Sequence, residues 1–400
     1  MTINNLLGPL NDIKVLELGQ LIAGPFCTRI LGEFGAQVIK IESPSGGDPL
    51  RRWRKLYKED SLWWLLQARN KQSITVNLKE EEGQKIVRHL AEDADVIVEN
   101  FRPGAMEKWG LDYESLSEKN PGLVMVRLSG YGQTGPYRDR PGFGAIGEAM
   151  GGLRHVTGYP DRPPVRVGIS LGDAVASLYG VIGTLMALKH RDTAGKGQVV
   201  DVALYEAVFS LMESMVPEFD YYDFIRERTG SALPGIAPSN SYLTKDGRYV
   251  VIGANGDSIF KRMMFAIGRD DLASDPELTH NDGRALRSDE LDKVIGDWCA
   301  RYDLDQVLAI LEKAEVPSGK IYDASDIVSD VHYKARDMIQ KFQLSDDEDL
   351  LVPGIVPKLS KTPGATRWLG PGLGEHTTEI LLAAGYSLEQ INNFRERHII

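Results

Sequence analysis

Short apolar runs alternate with amphipathic segments over the first third of the chain, and this alternation constrains the fold more than any other feature. The runs Ile13–Leu18, Ala36–Glu42, Ala94–Asn100 and Leu123–Gly130 have the length and residue types of buried strands. The segments Gly24–Phe34, Glu80–Ala91 and Tyr113–Lys119, which lie between them, have helical spacing. Because strands that alternate with helices form parallel sheets with right-handed crossovers, we predict an α/β fold with a parallel sheet covered by helices.

The character of the sequence changes after residue 217. Residues 218–236 are aromatic, charged and finally punctuated by Gly and Pro, which is typical of a linker. From Ala237 the runs SNSYLT and RYVVIGA, joined by the turn signal KDG, predict a hairpin that helical patterns follow. We therefore predict a large α/β domain over 1–217, a linker over 218–236, a smaller α+β domain over 237–335, and an extended Pro/Gly-rich segment with a last helix near Thr377–Ala384 over 336–400.

Composition limits the function classes. A formal net charge of −11 argues against a non-specific nucleic-acid binder. The 2 cysteines, Cys27 and Cys299, show no spacing typical of a disulfide framework or a metal site. The N-terminus lacks a basic start before a long apolar run, and no stretch of 18 apolar residues predicts a membrane span. We expect a cytoplasmic enzyme with no metal, nucleic-acid or membrane partner.

Asp173 is the most informative residue for chemistry. It stands where the stretch Val165–Leu171 gives way, after Gly172, to an apolar helical pattern that continues to Leu188. One interpretation is a helix N-cap, whose carboxylate accepts backbone N–H bonds at the positive end of the helix dipole. The other is a nucleophile that attacks an acyl group, and the sequence offers no GxSxG, HExxH or Cys–His alternative.

Glycine-rich segments follow several of the predicted strands. Gly19, Gly24 and Pro25 shape the turn after the first strand, where ligands approach open α/β sheets. Arg102 and Lys108 follow another strand and can bind phosphate oxygens, although a solvated charged face is the common alternative. The loop Gly253–Gly256 either closes over a substrate, with glycines free to take positive φ, or simply turns the chain.

Seven motifs, in order and nearly end to end, resemble the class III CoA-transferases, the CaiB–BaiF family that includes formyl-CoA transferase. They are LELGQLIAGPFCTRILGEFGAQVIKIESPSGGDPLR, NKQSITVNLK, ADVIVENFRPGAMEKWGLDYESL, SGYGQTGP, PPVRVGISLGD, GKGQVVDVALYEA and LGEHTTEIL. The resemblance implies a Rossmann-like large domain to which the C-terminus returns, a small domain, and an interlocked, ring-shaped homodimer. It also implies that Asp173, which ends the GISLGD motif, is the nucleophile that forms a mixed anhydride and then an aspartyl-CoA thioester.

The resemblance further implies that a CoA thioester is the substrate and that no cofactor is tightly bound. The implied CoA and substrate contacts are Gln20, Leu21, Ile22, Ala23, Val76, Lys79, Asn100, Phe101, Arg102, Lys108, Gly253, Asn255 and Gly256. Three positions depart from the formyl-CoA transferase pattern: Ser43 and Pro141 replace cations that contact CoA, and Gly144 replaces a carboxylate near the nucleophile. The formyl–oxalate substrate pair is therefore not supported.

Two other functions remain open at this point. The related α-methylacyl-CoA racemases use a His–Asp pair, and this chain has Phe143 where they have His. A non-catalytic CoA-binding subunit is the alternative from another class. For a transferase, we expect a small dicarboxylate acceptor such as succinate, malate, citramalate or oxalate; Arg154, His155, Arg162 and Arg166 are cations that can bind its second carboxylate.

Overall fold

The computed structural model describes residues 8–345 and 348–400. Contacts divide these residues into two compact units. The first, here the sheet unit, comprises the chain up to Leu153 together with Val167–Glu213 and Asp337–Ile400. The second, here the small unit, comprises Arg154–Arg166 and Ser214–Arg336.

A six-stranded, wholly parallel sheet forms the centre of the sheet unit. Its strands are β1 (Lys14–Glu17), β2 (Gln37–Glu42), β3 (Lys71–Thr75), β4 (Val96–Glu99), β5 (Val124–Ser129) and β6 (Val199–Ala203). Their order is β3-β2-β1-β4-β5-β6. Strands β1 to β3 follow one another towards one edge of the sheet, and β4 to β6 follow one another towards the other edge. The order of the strands therefore reverses between β1 and β4, and open α/β sheets bind ligands at the carboxyl ends of the strands at such a point.

Helices cover both faces of this sheet because successive strand residues point to opposite sides. The helices of the unit are α1 (Ala23–Glu33), α2 (Leu62–Gln67), α3 (Glu81–Ala91), α4 (Ala105–Lys108), α5 (Tyr113–Ser117), α6 (Gly144–Met150), α7 (Leu171–Ala194) and α8 (Leu204–Phe209), with α17 (Thr377–Ala383) and α18 (Leu388–Glu396) from the C-terminal part. On one face Leu16 and Ile97 pack with α3, α4, α5, α17 and α18. On the other face Val15 and Val96 pack with α1, α7 and α8.

Helix α7 is long and apolar enough, by length and composition, to cross a membrane. In the sheet unit, however, Val175, Ala176 and Leu188 of α7 belong to the buried core beside the strands. We therefore interpret α7 as a core helix. Its opposite side carries large apolar side chains that are exposed in the single chain: Leu178, Ile182, Leu185 and Met186.

The small unit has a three-stranded antiparallel sheet, β7 (Ser239–Leu243), β8 (Tyr249–Gly253) and β9 (Ser318–Lys320), in the order β9-β8-β7. Its helices are α9 (Met215–Tyr222), α10 (Asp257–Ala266), α11 (Asp270–Ala273), α12 (Asn281–Leu286), α13 (Ser288–Cys299), α14 (Leu304–Lys313), α15 (Ala324–Ser329) and α16 (Val331–Ala335). The hairpin expected from the sequence after Ala237 and helices after it are present, and their apolar side chains form one core.

Several sequence predictions differ from the structure. The predicted large domain, 1–217, included Arg154–Arg166, which the contacts group with the small unit. The reason is local pairing with the predicted linker 218–236: Gly230 N donates to Gly158 O at 2.9 Å, and Arg228 Nη1 donates to His155 O at 2.9 Å. That linker is itself partly helical, in α9.

The segment predicted as extended over 336–400 contains additional elements. A hairpin, β10 (Ile339–Ser345) and β11 (Glu348–Pro353), precedes the expected helix α17, and α18 follows that helix. Strand β3 was also not predicted, because KQSIT carries polar residues that its neighbours bury. Outside the labelled elements, the sheet unit has short strands at Leu56–Tyr57 and Asp60–Ser61 and a 3-10 helix at Pro49–Arg52, and the small unit has a 3-10 helix at Pro276–Leu278.

Candidate active site

Asp173 lies in the first turn of α7, three residues after the N-cap Ser170. The helix begins earlier than the sequence predicted because Leu171 and Gly172 are already helical, so Asp173 is not the cap itself. A carboxylate in the first turn still lies at the positive end of the helix dipole. Asp173 is partly exposed, and a carboxylate that acts as a nucleophile must be accessible to its substrate.

A buried hydroxyl connects the backbone of Asp173 to the turn after β1. Ser177 Oγ lies 2.6 Å from the carbonyl oxygen of Asp173 and 2.7 Å from the carbonyl oxygen of Ala23. Ser177 is fully buried, and its single hydroxyl hydrogen is shared between these two carbonyl acceptors. This contact ties α7, which carries Asp173, to the start of the helix that begins at Ala23.

The predicted CoA-contact turn, Gln20–Ala23, lies at the reversal point of the sheet. Gln20 N donates to Asn100 Oδ1 at 2.7 Å, and Asn100 Nδ2 donates to Gln20 O at 2.9 Å. This reciprocal pair joins the segment after β1 to the segment after β4, as the strand order requires. Two of the residues that sequence reasoning singled out separately are thus brought together at the edge where ligands bind open α/β sheets.

Leu21, within this turn, takes a left-handed backbone conformation with φ +63°. A non-glycine residue rarely adopts this conformation unless its surroundings hold it there. Both carboxylate oxygens of Asp48 accept the Leu21 N–H, each at 3.1 Å. Asp48 is buried, so this charge-assisted contact fixes the backbone of the turn without solvent competition.

A cluster of buried charged side chains contacts the backbone of this turn. Lys40 Nζ lies 2.7 Å from Glu17 Oε1, 2.9 Å from Asp48 Oδ2 and 2.8 Å from the carbonyl oxygen of Gly19. Lys71 Nζ lies 2.7 Å from Glu17 Oε2. We call Glu17, Lys40, Asp48 and Lys71 the buried charge cluster. It links three neighbouring strands, β1, β2 and β3, to the backbone of the CoA-contact turn.

The pKa values in this cluster follow from burial and pairing. Burial alone would raise the pKa of Glu17, but the charges of Lys40 and Lys71 outweigh it and lower that pKa to about 2. Burial lowers the pKa of Lys71 to about 8, against the opposing attraction of Glu17. The carboxylate of Glu17 is therefore charged at neutral pH, and it holds two ammonium groups away from water.

The segment after β4 is held by another buried carboxylate, Glu99. Phe101 N donates to Glu99 Oε2 at 2.8 Å, and Arg127 Nε donates to Glu99 Oε1 at 2.7 Å. Burial raises the pKa of Glu99 to about 6, although Arg127 opposes that shift. The Phe101 ring packs edge-on against Trp109 with centroids 5.1 Å apart, so the predicted contact residues at this end of β4 are fixed in position.

Arg102 and Lys108 lie on the rim of one groove of about 360 Å³, together with Pro103, Trp109 and Asp139. Both cations are exposed. A groove at a strand's carboxyl end that carries two mobile cations suits phosphate oxygens. The structure thus brings Arg102 and Lys108 together, as the sequence motif implied.

Val76 and Lys79 lie elsewhere, after β3 at the edge of the sheet. The side chain of Val76 is buried in the core, and its N–H donates to the carbonyl oxygen of Glu42 at 2.8 Å. The side chain of Val76 is therefore not available to a ligand. Lys79 is exposed.

Two positions that depart from the family pattern are Ser43 and Pro141. Ser43 is hydrogen-bonded to Ser45 at 2.9 Å, and Pro141 is exposed.

In the small unit, the glycine loop Gly253–Gly256 connects β8 to α10. Ala254 N donates to Pro238 O at 2.9 Å, and the carbonyl oxygen of Asn255 accepts from Arg284 Nη2 at 2.6 Å. Gly256, the N-cap of α10, has φ −71°, and Gly253 also has no positive φ. Neither glycine therefore uses the positive φ that a glycine permits.

Sequence reasoning missed the residues that hold the site rather than touch a ligand. Glu17, Lys40 and Lys71 are buried charged residues in strands of the parallel sheet, and Ser177 lies on the buried side of α7. A charge within a strand that is buried on both faces is an available signal, because such a charge requires a partner. The identity of each partner depends on strand order, which the sequence alone did not give.

Comparison with known proteins shows the family of the chain. The family model described as CoA-transferase family III matches residues 10–377. The succinyl-CoA–D-citramalate CoA-transferase of Chloroflexus aurantiacus is 51% identical over 93% of this chain and 93% of its own length. The succinyl-CoA–L-malate CoA-transferase beta subunit from the same organism is 43% identical over 98% of each chain.

A solved structure gives the same result for the fold. The crystal structure of a CaiB/BaiF family protein from Brucella suis matches 94% of this chain and 100% of its own, with a TM-score of 0.82 and 33% identity. The resemblance inferred from the motifs is confirmed, and so is an α/β fold with a six-stranded parallel sheet. The chain belongs to CoA-transferase family III and is a CoA-transferase.

Proposed function

We propose that this enzyme moves CoA from succinyl-CoA to a small dicarboxylic acid, with Asp173 as the covalent nucleophile. The observation that carries the proposal is the position of Asp173 in the first turn of α7, tied through Ser177 to Ala23 in the turn at the sheet's reversal point. The connection between the backbone of Asp173 and the expected CoA-contact turn supports this role. The CoA thioester is the substrate, and no tightly bound cofactor is needed.

The chemistry conserves the energy of the thioester. An Asp173 oxygen attacks the thioester carbonyl carbon, the C–S bond breaks, and a mixed anhydride and CoA thiolate form. The thiolate attacks the side-chain carbonyl carbon of Asp173, which releases succinate and leaves an aspartyl-CoA thioester. The acceptor carboxylate then attacks that carbon and expels the thiolate, and the thiolate attacks the acceptor's acyl carbon to free Asp173. Both anhydrides hydrolyse in water, so the site must be closed during turnover.

The names of the relatives support the acid class. Relatives at 51% and 43% identity transfer CoA from succinyl-CoA to D-citramalate and L-malate. Others at 35% and 32% are named for mesaconate and glutarate. All four partners of succinate in these names are dicarboxylates of similar size. We propose citramalate or malate as the first acceptors to test.

Phe143 argues against the racemase alternative. It is the N-cap of α6, next to Gly144, and its side chain is 68% exposed. A phenyl ring can neither accept nor return a proton, so a two-base racemisation lacks one of its partners. A non-catalytic CoA-binding role is disfavoured by the intact GISLGD segment that ends in Asp173.

A matrix of acyl donors and acids tests the proposal. The purified enzyme is mixed with succinyl-CoA or acetyl-CoA and one of D-citramalate, L-malate, mesaconate, glutarate or acetate, and new CoA esters are measured by mass spectrometry. We expect succinyl-CoA with citramalate or malate to give the fastest exchange. Transfer restricted to monocarboxylates would overturn the acid class, and racemised 2-methylacyl-CoA without any exchange would overturn the reaction.

We also propose a homodimer in the cytoplasm. The side of α7 that bears Leu178, Ile182, Leu185 and Met186 is apolar and exposed in the single chain, and surfaces of this kind usually pack against another protein. A homologous chain is named as one subunit of an alpha–beta enzyme, so association with a different chain is the alternative outcome. Sedimentation of the protein purified alone distinguishes a homodimer from a subunit that needs a second gene product.

A further inference from the structure

We infer that Gly144 is a positioning residue for the nucleophile: its missing side chain leaves the space that the carboxylate of Asp173 occupies. This inference rests on the proposed role of Asp173. A Cβ built on Gly144 would lie 2.0 Å from Asp173 Oδ2, 2.7 Å from Cγ and 3.2 Å from Oδ1. Gly144 has no positive φ, so backbone conformation is not the reason for a glycine here. The reason is the room that it leaves for the carboxylate.

The backbone of α6 cannot retreat to make that room, because the helix is packed closely against α8. A Cβ on Gly147 would lie 2.9 Å from Leu204 Cβ, and one on Gly151 would lie 2.7 Å from Val208 Cγ1 and 2.9 Å from Tyr205 O. Glycines thus let one side of α6 approach the backbone and side chains of α8. A side chain added at Gly144 must therefore displace a neighbouring group rather than α6 itself.

The start of α7 is packed just as closely against the start of α6. A Cβ on Gly172 would lie 3.0 Å from the carbonyl oxygen of Gly144 and 3.2 Å from Glu148 Cγ. Gly172 N donates to Oε1 of the buried Glu148 at 3.3 Å. The backbones on both sides of the Asp173 carboxylate are therefore fixed, and the side chain of Asp173 is the movable part.

The consequence of Gly144→Ala follows from these distances. To reach 3.0 Å from the new methyl group, a separation below which real Cβ atoms essentially never come, Asp173 Oδ2 must move by about 1 Å or rotate away. A misplacement of that size commonly lowers the rate of a reaction by about 100-fold. The fold should tolerate the change, because the contact falls on the end of a flexible side chain and alanine suits a helix better than glycine.

The test compares Gly144→Ala with two other glycine substitutions. Gly172→Ala places its methyl against backbone and should lower the melting temperature. Gly319→Ala, in β9 of the small unit, meets nothing within 4 Å and should leave both stability and rate unchanged. For Gly144→Ala we expect kcat for succinyl-CoA exchange to fall about 100-fold, while KM for succinyl-CoA and the melting temperature stay at the wild-type values.

Asp173→Asn, measured in parallel, separates this inference from the proposed function. If Asp173→Asn is inactive and Gly144→Ala keeps the wild-type kcat, the nucleophile assignment survives and the role of Gly144 is refuted. If Gly144→Ala loses as much thermal stability as Gly172→Ala, its role is structural and the inference also fails. If Asp173→Asn is itself active, the proposed function fails first, whatever Gly144→Ala does.

Discussion

Replacing Glu17 by Gln should destabilise the sheet unit and loosen the CoA-contact turn. The carboxylate of Glu17 is fully buried and accepts from Lys40, Lys71 and the hydroxyl of Thr28, the last at 2.6 Å. A Gln side chain has nearly the same shape but no charge. The variant therefore leaves two buried ammonium groups with only Asp48 and carbonyl oxygens as partners.

The pKa of Glu17 gives the size of the effect. Its pKa falls from an ordinary 4.5 to about 2 in the folded protein. At about 1.4 kcal/mol per pKa unit, the charged form contributes about 3 kcal/mol to folding at neutral pH. Removing one partner of a buried ion pair typically costs about 3–5 kcal/mol, which agrees with that figure.

The pH dependence follows from the direction of the shift. A carboxyl group whose folded pKa is lowered stabilises the fold above its unfolded pKa and loses that contribution as the pH falls towards its folded pKa. The difference between wild type and Glu17→Gln should therefore shrink as the pH falls from about 4.5 towards 2.

Urea unfolding followed by circular dichroism, at one fixed protein concentration, measures this difference. Glu81→Gln is the matched control, because it removes the carboxylate of an exposed pair with Lys85 and should not change the midpoint detectably. Binding of CoA should weaken in Glu17→Gln but not in Glu81→Gln, since Lys40 links Glu17 to the carbonyl oxygen of Gly19. A loss below about 1 kcal/mol, or a loss that does not depend on pH, would refute the argument.

Three further outcomes test the remaining parts of the site. Asp173→Asn should abolish CoA transfer yet leave the melting temperature and CoA binding unchanged; a residual rate above a small fraction of wild type would contradict its role. Replacing Gly253 and Gly256 together by Ala should leave stability intact, since neither has positive φ. If the loop acts as a lid, the double variant should show a higher ratio of acyl-CoA hydrolysis to CoA transfer. An unchanged ratio would show that the loop is a simple turn. The purified chain should sediment as a dimer whose mass is independent of dilution, and a folded monomer at low concentration would disprove an interlocked assembly.

The parallel sheet was predictable because four of its strands, β1, β2, β4 and β5, are short apolar runs that alternate along the chain with helical patterns. Strand β3 was missed because four of its five residues are polar: Lys71 and Ser73 are buried through specific partners, Glu17 and Glu42, that a sequence does not reveal. The same limit applies to the reversal point of the sheet. The pairing of Gln20 with Asn100 depends on β1 lying beside β4.

At the site, the sequence motif singled out Asp173. The motif did not show which neighbouring residues leave room for its carboxylate. Gly144 was noticed only as a departure from a related pattern. Its role depends on a close approach between the starts of α6 and α7, a distance that only coordinates provide. The Arg154–Arg166 segment was misassigned for a similar reason, since its hydrogen bonds to Arg228 and Gly230 join residues more than 60 positions apart.

Trapping the covalent intermediate tests the central claim most directly. The enzyme is incubated with succinyl-CoA and hydroxylamine during turnover, digested, and the peptide that contains ISLGD is examined by mass spectrometry. An activated Asp173 carbonyl should be converted to a hydroxamate, giving that peptide alone a mass increase, and the same treatment of Asp173→Asn should leave it unmodified. An unmodified wild-type peptide, with turnover verified in the same tube, would contradict covalent catalysis by Asp173 and favour direct transfer between bound substrates.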